Sequence, residues 1–235
     1  MKAAFLAGLR RLEVREAPEP WLENPRDVLL RVQTVGVCGS DLQYFRAGGI
    51  GAQVVKFPWV VGHECAGTVP EVGPEVQHLR PGQLVAVDPL VSCGECDQCL
   101  AARPRPCRRQ RLLGCPGQLA GAMAERLILP AECCFPVPGG MTAVQATLVE
   151  PFSIGLYAQR MAHLHDGAKL AILGCGPIGL CALIACRAPA IQLAARGTVN
   201  LDRLATHHFP LAEAQAAFEL VDGYRDGVLK ALVHL

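Results

Sequence analysis

Four cysteines carry the clearest chemistry in this chain. Cys93-Gly-Glu-Cys96-Asp-Gln-Cys99 is followed, after seven further residues, by Cys107. Thiolates two residues apart can turn onto one ion, and four of them close a tetrahedral zinc shell. A closed shell leaves no position for a substrate, so this cluster is structural and pins a lobe. A second group has the opposite character. Gly36-Val37-Cys38-Gly39-Ser40-Asp41, Gly62-His63-Glu64 and Glu150-Pro151 together offer a thiolate, an imidazole and two carboxylates. One Cys, one His and one or two Glu make an open zinc site, with room left for water or substrate. Zinc there would act as a Lewis acid, lowering the pKa of a bound alcohol so that it loses a proton and then a hydride. Singly, each residue has a plainer reading: Cys38 as a small buried side chain, His63 as half of a surface pair with Glu64, Glu150 as a helix cap or solvated helix residue. Their occurrence beside the tetracysteine run lifts them above it.

These groups need elements to hold them. Asp27 to Val37 alternates in the manner of a half-buried strand and delivers Cys38 at its end. Leu84–Val87 and Met123–Leu129 read as further short strands, with Pro70, Pro74, Pro81 and Pro89 punctuating the loops. Many short strands with Gly/Pro turns predict a compact, barrel-like β domain. The texture changes near Thr142. Thr142–Ala162 is helical in composition and interrupted by Pro151, and Lys169-Leu-Ala-Ile-Leu173 reads as a buried strand. A glycine turn and a helix from about Pro177 to Arg187 follow, the opening of a βαβ unit. Gly174-Cys175-Gly176-Pro177-Ile178-Gly179 fits G-x-G-x-x-G in that strand-to-helix context, where a pyrophosphate can approach the helix N-terminus. The unit then stops. Ala188 to Arg196 reads as a short helix ended by Gly197, and nothing before Asp202 reads as the second strand that should carry a ribose-binding acid. A helix over about Leu211–Asp222 and a strand over Gly227–Val233 complete the pattern.

Composition bounds the alternatives. The 235 residues are 51% apolar and 18% charged, with a formal charge of +1. That balance gives no reason to expect a nucleic acid or an anionic membrane as partner. No apolar run approaches the roughly 18 residues of a spanning helix, and the segment from Met1 does not read as a signal peptide. Twelve cysteines in such a chain fit a reducing, cytoplasmic compartment with thiolates on metal. Cys175, Cys181 and Cys186 read as small core residues. Arg103, Arg105, Arg108, Arg109 and Arg111 make the cysteine lobe basic, which keeps a nucleic-acid zinc module as a minor alternative.

In order along the chain, the Cys38 and His63 motifs, the tetracysteine run, Glu150-Pro151 and the Gly174 turn resemble the zinc-dependent medium-chain dehydrogenase/reductase family, in its polyol (sorbitol-like) branch. The resemblance covers about residues 1–188 and then the tail from Pro189. It implies an α/β fold: a GroES-like β-barrel catalytic domain over 1–155, a truncated Rossmann fragment over 156–188, and a segment over 189–235 that returns to the catalytic domain. It implies two zinc ions per chain. Cys38 and His63 would be catalytic ligands, Glu64 and Glu150 alternating carboxylate partners, and Cys93, Cys96, Cys99 and Cys107 the structural shell. By the same resemblance Ser40 relays the alcohol proton, Tyr44 and Phe45 line the pocket, and Gly174, Gly176, Pro177, Ile178 and Gly179 hold NAD(P). The substrate class is a small alcohol or polyol, and the family forms homo-oligomers. Gln43 stands where many relatives carry a histidine, and Gln83 where an Asp is usual. Thr206–Leu211 and Gly227–Lys230 resemble the family's final segment, so about 100 residues of the nucleotide-binding domain are expected to be missing near Ala188-Pro189. Lys169–Leu173 would then lack a parallel partner and expose apolar surface. The expectation is very weak cofactor binding and little turnover, with a non-catalytic zinc-binding remnant as the alternative reading.

Overall fold

The computed structural model describes residues 1–165, 168–186 and 201–235. Strands β1 (Lys2–Gly8) and β2 (Arg11–Glu16) form a hairpin, followed by the long strand β3 (Asp27–Gly36) and helix α1 (Gly39–Ala47). Short strands come next: β4 (Gly49–Ile50), β5 (Gln53–Val54) and β6 (Trp59–Val60), then the longer β7 (Glu64–Val72) and β8 (Leu84–Val87). The cysteine lobe holds β9 (Leu90–Val91), the one-turn helix α2 (Asp97–Leu100) and β10 (Arg111–Leu112). Then come β11 (Arg126–Pro130), β12 (Cys134–Pro136), α3 (Ala143–Met161), α4 (Pro177–Ala185), β13 (Ala205–Pro210), α5 (Ala214–Asp222) and β14 (Lys230–His234).

The main sheet runs β12–β8–β7–β3–β14–β13, with β11 also pairing β3. One edge of β3 is shared: β11 covers its first half, from Asp27 to Arg31, and β14 its second, from Thr34 to Gly36. The other edge pairs antiparallel with β7, setting Gly36 opposite Glu64. Alternation holds only around Arg31, which is exposed between the buried Leu30 and Val32; Val28, Leu29 and Thr34 to Gly36 are all buried, as suits a strand flanked on both edges. Gln83, the departure from the usual acid, caps its own turn by accepting from the Arg80 N–H at 2.8 Å.

The last segment is built into this core. Strands β13 and β14 are parallel and connected through α5. Leu211, Ala214, Ala217, Phe218, Ala231 and Val233 pack in the same cluster as Val28, Val32 and Phe45. The rings of Phe45 and Phe218 lie 5.3 Å apart. Asp222 at the end of α5 accepts from both Arg10 and Arg46, and the Arg46 guanidinium also reaches the Asp222 carbonyl at 2.6 Å.

Several expectations are corrected. Helix α3 runs through Pro151 without a break, and the Ser153 hydroxyl donates to the Glu150 carbonyl at 2.7 Å. Lys169–Leu173 is not a strand: it pairs with nothing among the described residues, and Leu173 is 99% exposed. A strand is held by its neighbours' backbone hydrogen bonds, and none of the described residues supplies them. Cys181 is buried, but Cys175 is exposed rather than core. Phe45 is fully buried against α5 and borders a surface cavity together with Arg10, Glu219 and Asp222. Strand β13 and the β1–β2 hairpin had no counterpart in the sequence reading. The helix expected over Ala188–Arg196 lies outside the described residues.

Candidate metal centre and cofactor turn

Cys38 follows β3 by two residues and forms the N-cap of α1, so it stands where the strand turns into the helix. His63 immediately precedes β7 and Glu64 begins it. Antiparallel pairing of β3 with β7 therefore brings the two motifs together. Ligand atoms of Cys38, His63 and Glu64 lie within 4.8 Å of one another. Gly36 makes this approach possible, since a Cβ there would overlap the Glu64 carboxylate.

Asp41 organises the group from beneath and is fully buried. One of its oxygens accepts from the Cys38 N–H at 3.0 Å; the other accepts from Gly62 N–H at 3.1 Å and lies 3.5 Å from His63 Nδ1. That carboxylate fixes the ring so that its other nitrogen can face a metal. Burial alone would lower the His63 pKa, but the Asp41 carboxylate and Cys38 outweigh it and lift it well above the usual value. Glu150, half-buried on α3, does not converge with the three ligand atoms in this arrangement. Burial and the neighbouring Glu64 charge push its pKa up to about 7. Ser40 is half-buried in the first turn of α1. The Tyr44 hydroxyl donates to Gln53 Oε1 at 3.0 Å and approaches Cys115 Sγ at 3.8 Å.

Lys230, like Asp41, is a member of this neighbourhood whose role was not read in the sequence. It arrives on β14, only 4% exposed, and its Nζ lies 2.8 Å from each carboxylate oxygen of Glu64 and 3.3 Å from the Val37 carbonyl. A lone lysine in a strand with apolar neighbours gave no signal of its destination, because the contact spans 166 residues.

The second cluster is the tetracysteine. Its sulfurs stand 3.4 Å (Cys107–Cys93), 3.6 Å (Cys96–Cys99) and 3.9 Å (Cys93–Cys99 and Cys96–Cys107) apart. A tetrahedral ion with Zn–S bonds of about 2.3 Å sets sulfurs about 3.8 Å apart, so the donors fit zinc. Backbone N–H groups of Arg108 and Cys99 donate to Cys96 and bring its pKa down to about 6. Three of the lobe's arginines are engaged: Arg108 with Asp97, Arg109 with Glu95 and Arg105 with Asp88.

The Gly174 turn precedes α4, with Gly176 as N-cap and Pro177 in the first turn. A Cβ at Gly179 would overlap the Gly174 carbonyl oxygen, so this glycine allows the helix to pack on its own turn. Ile178 is 45% exposed and Leu183 53% exposed. No helix among the described residues is long and apolar enough to cross a membrane.

Comparison with known proteins agrees with this geometry. The alcohol dehydrogenase GroES-like domain family matches residues 24–139. Sorbitol dehydrogenase of Bacillus subtilis is 38% identical over 188 residues, covering 80% of this chain and 53% of the relative. That of Arabidopsis thaliana is 36% identical over 203 residues, covering 86% and 55%. The chain thus spans about half the length of the curated relatives it matches. The alcohol dehydrogenase from Thermus sp. ATN1 superposes with a TM-score of 0.89 at 22% identity, over 100% of this chain and 99% of that one, a likeness of fold alone. The chain thus contains the alcohol dehydrogenase GroES-like domain of the medium-chain dehydrogenases/reductases, and it is similar to the sorbitol dehydrogenases among them.

Proposed function

We propose that this chain is a zinc-dependent oxidoreductase of the alcohol/polyol type, built to pass hydride from a secondary alcohol to NAD(P) and impaired on its cofactor side. The observation that carries the reading is the convergence of Cys38, His63 and Glu64 within 4.8 Å, with Asp41 orienting the imidazole. Bound zinc would supply Lewis acidity toward the alcohol oxygen. In this reading Cys38, His63 and Glu64 hold the ion, Glu150 is the exchanging carboxylate, and Ser40 takes the alcohol proton. Cys93, Cys96, Cys99 and Cys107 hold a second, structural ion. Residues 1–155 form the catalytic domain, 156–188 the remaining dinucleotide-binding piece and 189–235 the returning segment.

The cofactor side is where activity fails. Gly174, Gly176, Pro177, Ile178 and Gly179 can cradle a pyrophosphate. However, Leu170 and Leu173 stand open where further strands would wall a nucleotide. Hydride transfer needs the reacting atoms held at about 3–3.5 Å. The same openness favours the second reading, a zinc-binding remnant without redox activity. Nicotinamide fluorescence during NADH and NADPH titration separates the two, alongside metal analysis. Two zinc ions with saturable cofactor binding and polyol oxidation support the enzyme. Two ions with neither leave the remnant, and one ion removes both.

A further inference from the structure

Both charges of the Lys230–Glu64 pair are sealed from water, Lys230 at 4% and Glu64 at 1% exposure. A buried charge must keep a partner, because leaving either alone forfeits the Coulombic gain without recovering hydration. The ammonium has three donors, and all three are placed: Glu64 Oε1, Glu64 Oε2 and the Val37 carbonyl. Glu64 is therefore fully claimed by a cation of the chain itself while it lies within 4.8 Å of the Cys38 and His63 ligand atoms. A divalent ion between Cys38 and His63 would seek the same carboxylate. Lys230 does not yield easily, because β14 is locked into the sheet against Val35 and Gly36. The preceding helix is clamped by Arg10 and Arg46 on Asp222.

We propose that Lys230 is a positioning residue that competes with the metal for Glu64, so that strand β14 decides whether Glu64 or Glu150 completes the Cys38/His63 site. This rests on the metal-site reading above. Without the lysine, the ion becomes the remaining counter-charge for Glu64 and the carboxylate turns fully onto it. With the lysine, Glu64 is shared and the ion is held less tightly, open to exchange with Glu150.

Cobalt titration of the metal-stripped full-length protein tests this, read by its visible d–d and thiolate charge-transfer bands. Wild-type protein is expected to take two Co²⁺. Lys230→Met is expected to tighten the site containing Cys38 at least tenfold and to shift its d–d bands, leaving the tetracysteine bands unchanged. Lys230→Arg should restore wild-type behaviour. In a Glu64→Gln background, Lys230→Met should change nothing, since the contested carboxylate is gone. Should Lys230→Met not fold, Lys230→Gln, which keeps a donor but no charge, is read in the same way. Unchanged or weaker cobalt binding in the folded lysine variant overturns the proposal while the metal reading stands. Wild-type protein that binds a single Co²⁺ at the tetracysteine overturns both.

Discussion

Asp41 and His63 lie 3.5 Å apart, carboxylate oxygen to Nδ1, at the floor of the candidate metal site. The carboxylate also accepts two backbone N–H groups, from Cys38 and Gly62, so it is rigidly placed. Asp41→Asn keeps the shape and removes the charge that orients the ring. Metal affinity at this site should fall about 10–100-fold. The tetracysteine site should be untouched, and cobalt titration followed at both sets of bands distinguishes them.

The cysteine lobe gives an independent prediction. Cys96→Ser should remove one zinc per chain by elemental analysis and lower the thermal midpoint, while the Cys38 site keeps its ion. In chelator-treated protein Cys96 should react fastest among the four with a disulfide reagent at pH 7, because its pKa is held at about 6.

Glu150 sets a pH dependence. Its folded pKa of about 7 lies above the ordinary 4.5, so the folded chain binds this proton more tightly than the unfolded one. Its favourable contribution is fully present below about 4.5 and falls as pH rises through about 7. In metal-free protein the loss amounts to about 3 kcal/mol, and Glu150→Gln, neutral at every pH, should abolish it. Denaturant midpoints measured from pH 5 to 8 should show wild type losing stability across that range, relative to a flatter variant.

Asp222 joins α5 to Arg10 and Arg46. Its pKa is lowered chiefly by the hydrogen bond from Arg46. The clamp therefore stabilises the fold above the ordinary carboxylate value and is lost as pH falls below it. Asp222→Ala should cost about 1 kcal/mol at pH 7, read from the urea midpoint, because two solvent-accessible arginines lose their shared partner.

Much of the site was legible in the sequence. Cys38, His63 and Glu64 sit in compact motifs whose strands pair directly, and the four cysteines are adjacent enough for spacing alone to gather them. What escaped was non-local. Lys230 is one cation in an apolar strand, and Asp41 was read as part of a motif without a task. Strand β13 has its His207 and His208 side by side, which obscures alternation. Lys169–Leu173 misled in the opposite direction. Its composition is that of a buried parallel strand, but composition supplies no neighbours, and among the described residues none pairs with it. Pro151 misled in the same way, since packing against β7 and α4 keeps α3 helical through a residue that disfavours it.

Strand β3 waits for a partner made much later. Its first half is edged by β11, but the stretch beside Cys38 is completed only by β14. Until β14 docks, that edge of β3 stays open, with backbone groups near Cys38 free to mispair. Such distant closure slows folding, so the corner that gathers the candidate ligands is sealed only when the most remote pairing of β3 has formed.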